Sequence, residues 1–315
     1  MRQKELLRPT LKEYHIMKYL WRWKVATTAA ITARFYPDYH WDTVTTYWKL
    51  WRLKKRGLVT IVQTNLAREY VWALTTAGFK VLLPDMPSLK EKGFASENVT
   101  HDLMVQAAHI GDYLPRGSAP QVGFFTEQEL RRVELSNYPE WVPETLIHRP
   151  DGYWNVPDGN ARKVIALEVE LSSKTIDDYG RVADFYNNTH TIDEVLWIVQ
   201  SRAIAEKIQK GAKSGVFSFR DIHQYVSAED FKNHGWQASI FLGKLRGRKI
   251  SEFLDRTSSN KATTTPQPSS IPGWSSVILD TALKRVKPTS YQQIETLKNH
   301  LLYVSQLENA VSQTD

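Results

Sequence analysis

Apolar residues recur at helical spacing near the start of the chain: Tyr14, Met17, Leu20 and Trp21 share a face of residues 11–23, with Lys12, Lys18 and Arg22 on the others. The pattern predicts an amphipathic first helix. Thr27 and Thr28 are N-cap residue types for a short second helix from Ala29 to Phe35, which Pro37 is expected to close. A third helix is expected from Asp42, with Val44, Tyr47, Trp48 and Trp51 toward a core and Thr45, Thr46, Lys49, Arg52 and Arg56 on a polar stripe. Gly57 ends it. Residues 58–62 and 70–74 alternate or run apolar on either side of the polar stretch 63–69, as the strands of a hairpin do. Three helices followed by a hairpin predict a winged helix-turn-helix domain over residues 1–84.

Beyond a loop rich in Pro, Lys and Ser, the pattern resumes with Leu103, Ala107, Ile110 and Leu114 on one face of a helix within 98–114. An apolar run at 122–125 and the segment Thr126 to Arg131 precede a Pro-punctuated loop ending in His148-Arg149-Pro150-Asp151-Gly152. Asp151 opens a strand over 152–156, and a turn at 157–160 leads to a second strand, 164–171, whose alternation sets Glu168 and Glu170 on one face. A helix over 175–187, a strand over 195–199, a helix over 202–213 and two short strands within 215–226 follow. Residues 95–255 are therefore expected to form a second domain, of α/β (α+β) class. Polar, Pro-containing residues make 256–276 an expected flexible linker. In the remaining tail, 277–315, Ile294, Leu297, Leu301, Val304 and Val311 form an apolar helical stripe that packs on the body, on a second copy or on a partner protein.

Charge sharpens the reading of the first domain. The chain carries a net charge of +7, yet residues 1–75 alone hold 14 Lys and Arg against 5 Asp and Glu. Concentrated basicity on a helix-and-wing unit predicts double-stranded DNA as its partner, with the third helix in the major groove. Thr46, Lys49, Arg52, Lys55 and Arg56 are the candidate contacts, with Arg68 on the wing. A solvated basic face or a protein-binding module is the alternative.

Other classes are excluded by what is missing from the sequence. There is no cysteine, hence no disulfide, thiolate metal site or cysteine nucleophile. No stretch approaches the ~18 apolar residues of a membrane span, and the first ten residues are charged, so a cytoplasmic protein without a membrane partner is expected. None of the nine histidines forms a His-x-His pair, and no Walker A loop occurs.

The carboxylates carry the chemistry. Two acids on one face of an interior strand need compensation, because an unpaired buried charge costs several kcal/mol. Mg²⁺ or Mn²⁺ would supply it, binding oxygen ligands and retaining the waters that phosphodiester hydrolysis uses. Asp151 and Glu168 are the minimal metal-ligand pair, and Lys174 is a candidate to orient water or stabilise charge on phosphate. If the strand lay instead at a sheet edge, Glu168 and Glu170 would pair with Arg162 or Lys163 and do no chemistry.

Pro150-Asp151 followed by Glu168-Val169-Glu170, with Tyr179 and Tyr186 on the next helix, resembles the PD-(D/E)xK nuclease core. Tyr47-Trp48-Lys49-Leu50-Trp51-Arg52, running on to Gly57-Leu58-Val59, and Tyr70-Val71-Trp72-Ala73-Leu74-Thr75 are similar to N-terminal signatures of the replication-relaxation family, which includes MobC-type plasmid mobilisation relaxases. The resemblance implies a winged helix joined to a restriction-endonuclease-type core. It further implies Asp151 and Glu168 as metal ligands, Glu127 or Glu129 as the acid of the first core helix, and a loose match for His101. The implied activity is a Mg²⁺- or Mn²⁺-dependent, relaxase-like DNA endonuclease acting at an origin in plasmid mobilisation or replication, with a relaxosome or coupling-protein partner or self-association through the tail. Glu170 stands where the motif has lysine, so that third catalytic role is altered, transferred to Lys174 or lost. A non-catalytic origin-binding or transcriptional regulator with a degenerate nuclease fold is the rival reading, and an auxiliary relaxosome subunit a third. Tyr153, Tyr179 and Tyr186 are neighbours of the motif by sequence alone.

Overall fold

The computed structural model describes residues 9–63, 70–86, 88–90, 93–109, 123–144, 147–158, 161–214 and 219–254. Arg68, the helical positions Ile110 and Leu114, and the whole expected linker and tail from 256 onward lie outside them. The described chain is a mixed α/β structure with two sheets.

Helix α1 (Leu11–Trp23) opens on a reciprocal cap, in which Thr10 Oγ1 accepts from the Glu13 amide and the Glu13 carboxylate accepts from the Thr10 amide. Its apolar face buries Ile16, Met17, Leu20 and Trp23. Strand β1 (Val25–Thr27), α2 (Thr28–Tyr39), α3 (Thr43–Lys55), β2 (Val59–Val62), β3 (Val71–Leu74) and α4 (Thr76–Leu82) follow. The strands form an antiparallel sheet in the order β1-β3-β2. The expected hairpin is present as β2 and β3, but β1 makes a third strand that the sequence pattern missed, since three residues are too few to display alternation. Helix α2 does not stop before Pro37. A proline so near the end removes one ladder bond, and the helix finishes at His40, whose left-handed φ of 53° reverses the chain.

Helix α4 starts hard against the chain at Leu58, and a Cβ at Gly78 would collide with the Leu58 carbonyl. Gly78→Ala is expected to destabilise the protein by about 3 kcal/mol, because the obstacle is backbone and cannot rotate away. Urea unfolding followed by tryptophan fluorescence measures this directly, and an unchanged midpoint would show that α4 shifts freely.

The second sheet is built from β4 (Gly123–Thr126), β5 (Gly152–Asp158), β6 (Ala161–Glu170), β7 (Glu194–Val199), β8 (His223–Ser227) and β9 (Ile240–Leu242), in that spatial order. β6, β7 and β8 are parallel, and the outer pairings are antiparallel. Both faces are covered, which explains why β7 reads as a continuous apolar run rather than an alternation. On one face Trp154, Ile165, Leu167 and Ile198 pack under α5 (Val99–His109), α9 (Ala228–His234) and α10 (Ile250–Leu254). On the other, Tyr153, Ala166, Val195 and Trp197 pack under α7 (Ile176–Asn188) and α8 (Arg202–Lys213). The short helix α6 (Glu127–Arg132) follows β4 directly.

The end of α1 and the start of β1 are fastened to the second sheet. Arg22 donates to Glu129 (3.2 Å) and to the Phe124 carbonyl (3.1 Å), Gln106 of α5 donates to the Val25 carbonyl (3.1 Å), and Leu103 packs against Val25, Val71 and Ala73. No helix among the described residues is long and apolar enough to cross a membrane.

Candidate functional site

Asp151 is set by two backbone bonds: its amide donates to Leu167 O (3.0 Å), and its carbonyl accepts from the Glu127 amide (3.1 Å). That anchorage turns its buried side chain toward the end of β6, where Oδ2 accepts from the Val169 amide (2.6 Å) and Oδ1 lies 3.4 Å from His101 Nε2. Burial pushes the Asp151 carboxyl up, and His101 opposes the rise. On β6, alternation sends Ile165, Leu167 and Val169 into one core and leaves Glu168 and Glu170 on the face of Val164 and Ala166. Glu168 Oε1 accepts from His148 Nε2 (2.6 Å) and from the Tyr186 hydroxyl of α7. Glu170 is buried and pairs with Lys174 Nζ at 2.8 Å, and burial raises its carboxyl against the pull of that lysine.

The basic partners answer in kind. Burial disfavours charge on His101, yet Asp151 and Asp102 raise it to about 11. His148 is likewise raised, burial being outweighed by Glu168. Tyr186 is pushed far up by burial and by Glu168, which keeps its proton on the phenol as a donor. The arrangement is thus a cluster of carboxyl groups, each contacted by a basic side chain, at the end of an interior strand.

The structure brings Glu168 and Glu170 together with Asp151, as the alternation of the hairpin led one to expect; it settles the place of Lys174, against Glu170, and sets His101, Tyr186 and His148 beside the acids. His148 lies three residues upstream of Asp151, and its approach to Glu168 depends on a loop fold that no periodicity reveals. Tyr179 lies near Lys174, whose amide donates to its hydroxyl (3.0 Å). Glu127 does not join the cluster directly. It pairs with Lys24 (2.6 Å) and Arg131 (3.1 Å), and reaches Asp151 through the field of its charge. Glu129 caps α6 through Thr126. The edge-strand alternative fails on topology: β6 is the third of six strands, Lys163 is on the opposite face by alternation, and Arg162 is roughly 20 Å from Glu168 along the strand. Among the described residues, no three His, Asp or Glu side chains stand together as a ready metal-ligand set.

The expected DNA-facing stripe needs rotating. Thr46 is fully buried, with its hydroxyl donating to the Asp42 carbonyl (2.9 Å), so it faces the core with Leu50 and Leu53. Trp48, assigned inward by its apolarity, is 47% exposed. Arg56 is largely buried and pairs with Glu13 at 3.2 Å, a structural engagement that takes it off the surface. What faces outward is a shallow groove lined by Thr45, Trp48, Lys49, Trp51, Arg52 and Lys55. Lys49 lies over the Trp41 ring and Lys54 over that of Trp51, so the cations here are interleaved with aromatic faces.

No family model matches this chain, and neither the curated proteins nor the solved structures yield a similar one.

Proposed function

We propose that the protein is a DNA-binding, metal-dependent endonuclease of relaxase-like type, acting at an origin in plasmid mobilisation or replication. In this reading α1–α3 and the strands β1–β3 form a winged helix that binds duplex DNA, and the six-stranded sheet is a nuclease core of PD-(D/E)xK kind. The observation that carries it is the convergence of Asp151, just before β5, with Glu168 and Glu170 of the interior strand β6, in a chain whose first unit presents a cationic helix face.

The donor chemistry suits a hard divalent cation: Asp151 and Glu168 offer carboxylate oxygens, and both contacts made by Glu168 fall on Oε1. When bound there, Mg²⁺ or Mn²⁺ would supply a Lewis acid and a source of nucleophilic water. The protein's own residues do the rest. His148 and Tyr186 orient Glu168, the Val169 amide and His101 orient Asp151, and Lys174, whose side chain is half exposed, offers a cation to a phosphate. On this reading Glu170 holds Lys174 where the motif would place a lysine of its own.

The second reading, a non-catalytic origin-binding regulator, is favoured by a specific observation. Each carboxylate is already engaged, Asp151 with His101, Glu168 with His148, and Glu170 with Lys174. Supercoiled DNA carrying the candidate origin, incubated with Mg²⁺, Mn²⁺ or EDTA, separates the two. The nuclease requires metal-dependent conversion to open-circle or linear DNA by the wild type and its loss in Asp151→Ala and Glu168→Ala. Origin binding without conversion in any metal would establish the regulator.

A further inference from the structure

Lys24 ends α1 with φ 63° and ψ −44°, a backbone conformation that L side chains rarely adopt. Such a turn persists where the surroundings over-determine it, and here they do. The residue is 8% exposed, and its ammonium lies 2.6 Å from Glu127 and 3.2 Å from Asp102, on α6 and α5 of the second sheet's scaffold. Burial opposes the charge, and the two carboxylates overcome it.

The contacts do not end there. Asp102 lies 3.6 Å from His101 Nδ1, while Nε2 of the same ring lies 3.4 Å from Asp151 and 3.1 Å from the Val169 carbonyl. Lys24, Asp102, His101 and Asp151 therefore form a series of contacts of 3.2, 3.6 and 3.4 Å, from the first unit to the acid cluster. Lys24, Asp102 and Asp151 are buried, and the His101 ring lies between the two carboxyl groups with Nε2 on the Val169 carbonyl, so a shift of Asp102 is passed to the ring and from it to Asp151.

We propose that Lys24 is a positioning residue for the acid cluster: through Asp102 and His101 it fixes the carboxylate of Asp151, so the helical unit that presents the cationic groove also sets the geometry of the site in the other sheet. The functional weight of this rests on the nuclease reading of Asp151; the positioning itself does not. The competing account is a plain seam contact, and Arg22 supplies its control. Arg22 holds the same seam through Glu129 and the Phe124 carbonyl, outside the line of contacts to Asp151.

The test is residue-resolved amide exchange on the full chain without added metal, comparing wild type, Lys24→Met, Lys24→Arg and Arg22→Gln. The reporter is the Val169 amide, which donates to Asp151 Oδ2. Lys24→Met should speed Val169 exchange by about tenfold relative to Ile198 on the adjacent strand, with partial rescue by Lys24→Arg and no such contrast in Arg22→Gln. Val169 and Ile198 accelerating together, or Arg22→Gln matching Lys24→Met, would overturn the proposal. Mn²⁺ binding, measured on the same samples, should weaken by about tenfold in Lys24→Met, in line with the cost of losing support behind a metal ligand. A wild type that takes up no Mn²⁺ would remove the metal reading of Asp151, and the exchange contrast would still decide the role of Lys24.

Discussion

Between pH 6.5 and about pH 4.5 the folded protein should lose on the order of 5 kcal/mol of stability through two buried histidines. His109 is buried, accepts at Nδ1 from the Trp154 indole (2.8 Å), and donates from Nε2 to the Asp151 carbonyl (3.1 Å). His223 is buried in the same manner, accepting at Nδ1 from Trp197 (3.0 Å). A proton added at either Nδ1 would face an indole N–H with no acceptor between them. Burial, the larger cause, and the charges of Arg22 and Arg220 pull the two rings down to about 3 and about 4, against an ordinary value of 6.5. The unfolded chain therefore binds more protons in this window than the folded one. The stabilisation is fully present above pH 6.5 and is lost as pH falls toward those values.

His101 contributes with the opposite sign and in a different window. Raised to about 11, it stabilises fully below pH 6.5 and loses that contribution as pH climbs toward 11. The raised carboxyls of Asp151 and Glu170 offset part of the acid loss, since they take up protons more readily in the folded state. Urea unfolding across the acid range measures the balance. The double variant His109→Gln/His223→Gln should be less stable than wild type at neutral pH, with a distinctly flatter acid limb. An unchanged limb would mean that the carboxylates alone govern acid unfolding.

How legible this molecule is from its sequence depends on how far each feature reaches along the chain. Helices α1, α3, α7 and α8 and strand β6 show in local periodicity, because each buries a face whose spacing repeats within a dozen residues, and β7 shows as an unbroken apolar run because both its faces are covered. The meeting of Asp151 with Glu168 and Glu170 shows too, since a hairpin of known alternation fixes which acids share a face. The rest depends on contacts far apart in sequence. Lys24 and Asp102 are 78 residues apart, and Arg52 and Glu13 are 39. Helix α3 illustrates the cost: a polar type at 46 and an aromatic type at 48 suggest one orientation, and the hydroxyl of Thr46, satisfied by its own helix, permits the other. Trp48 is outward because the buried line is Thr46, Leu50 and Leu53, a line the residue types disguise.

Replacement of Glu13 by alanine should cost about 3 kcal/mol and, on the DNA-binding reading, should tighten association with duplex DNA. The carboxylate is 1% exposed and serves three groups at once: the Thr10 cap, Arg52 at 2.8 Å and Arg56 at 3.2 Å. Arg52 is 57% exposed and can turn to water when its partner is gone. Arg56 is 18% exposed, and its Nε and Nη2 already make no hydrogen bond, so its charge would be left without compensation beneath α3. Stability should fall for that reason, together with the loss of the capping box. The surface effect has the other sign. Removing one negative charge and releasing Arg52 beside Lys55 raises the positive potential of the groove that contains Trp48, so duplex affinity should rise and become more sensitive to salt. Glu13→Gln separates the two effects, since the amide still accepts from Thr10 while the charge is lost. It should recover part of the stability and keep the gain in DNA affinity. A variant with lowered stability and unchanged duplex binding across salt concentrations would show that the α3 groove is not where DNA lies.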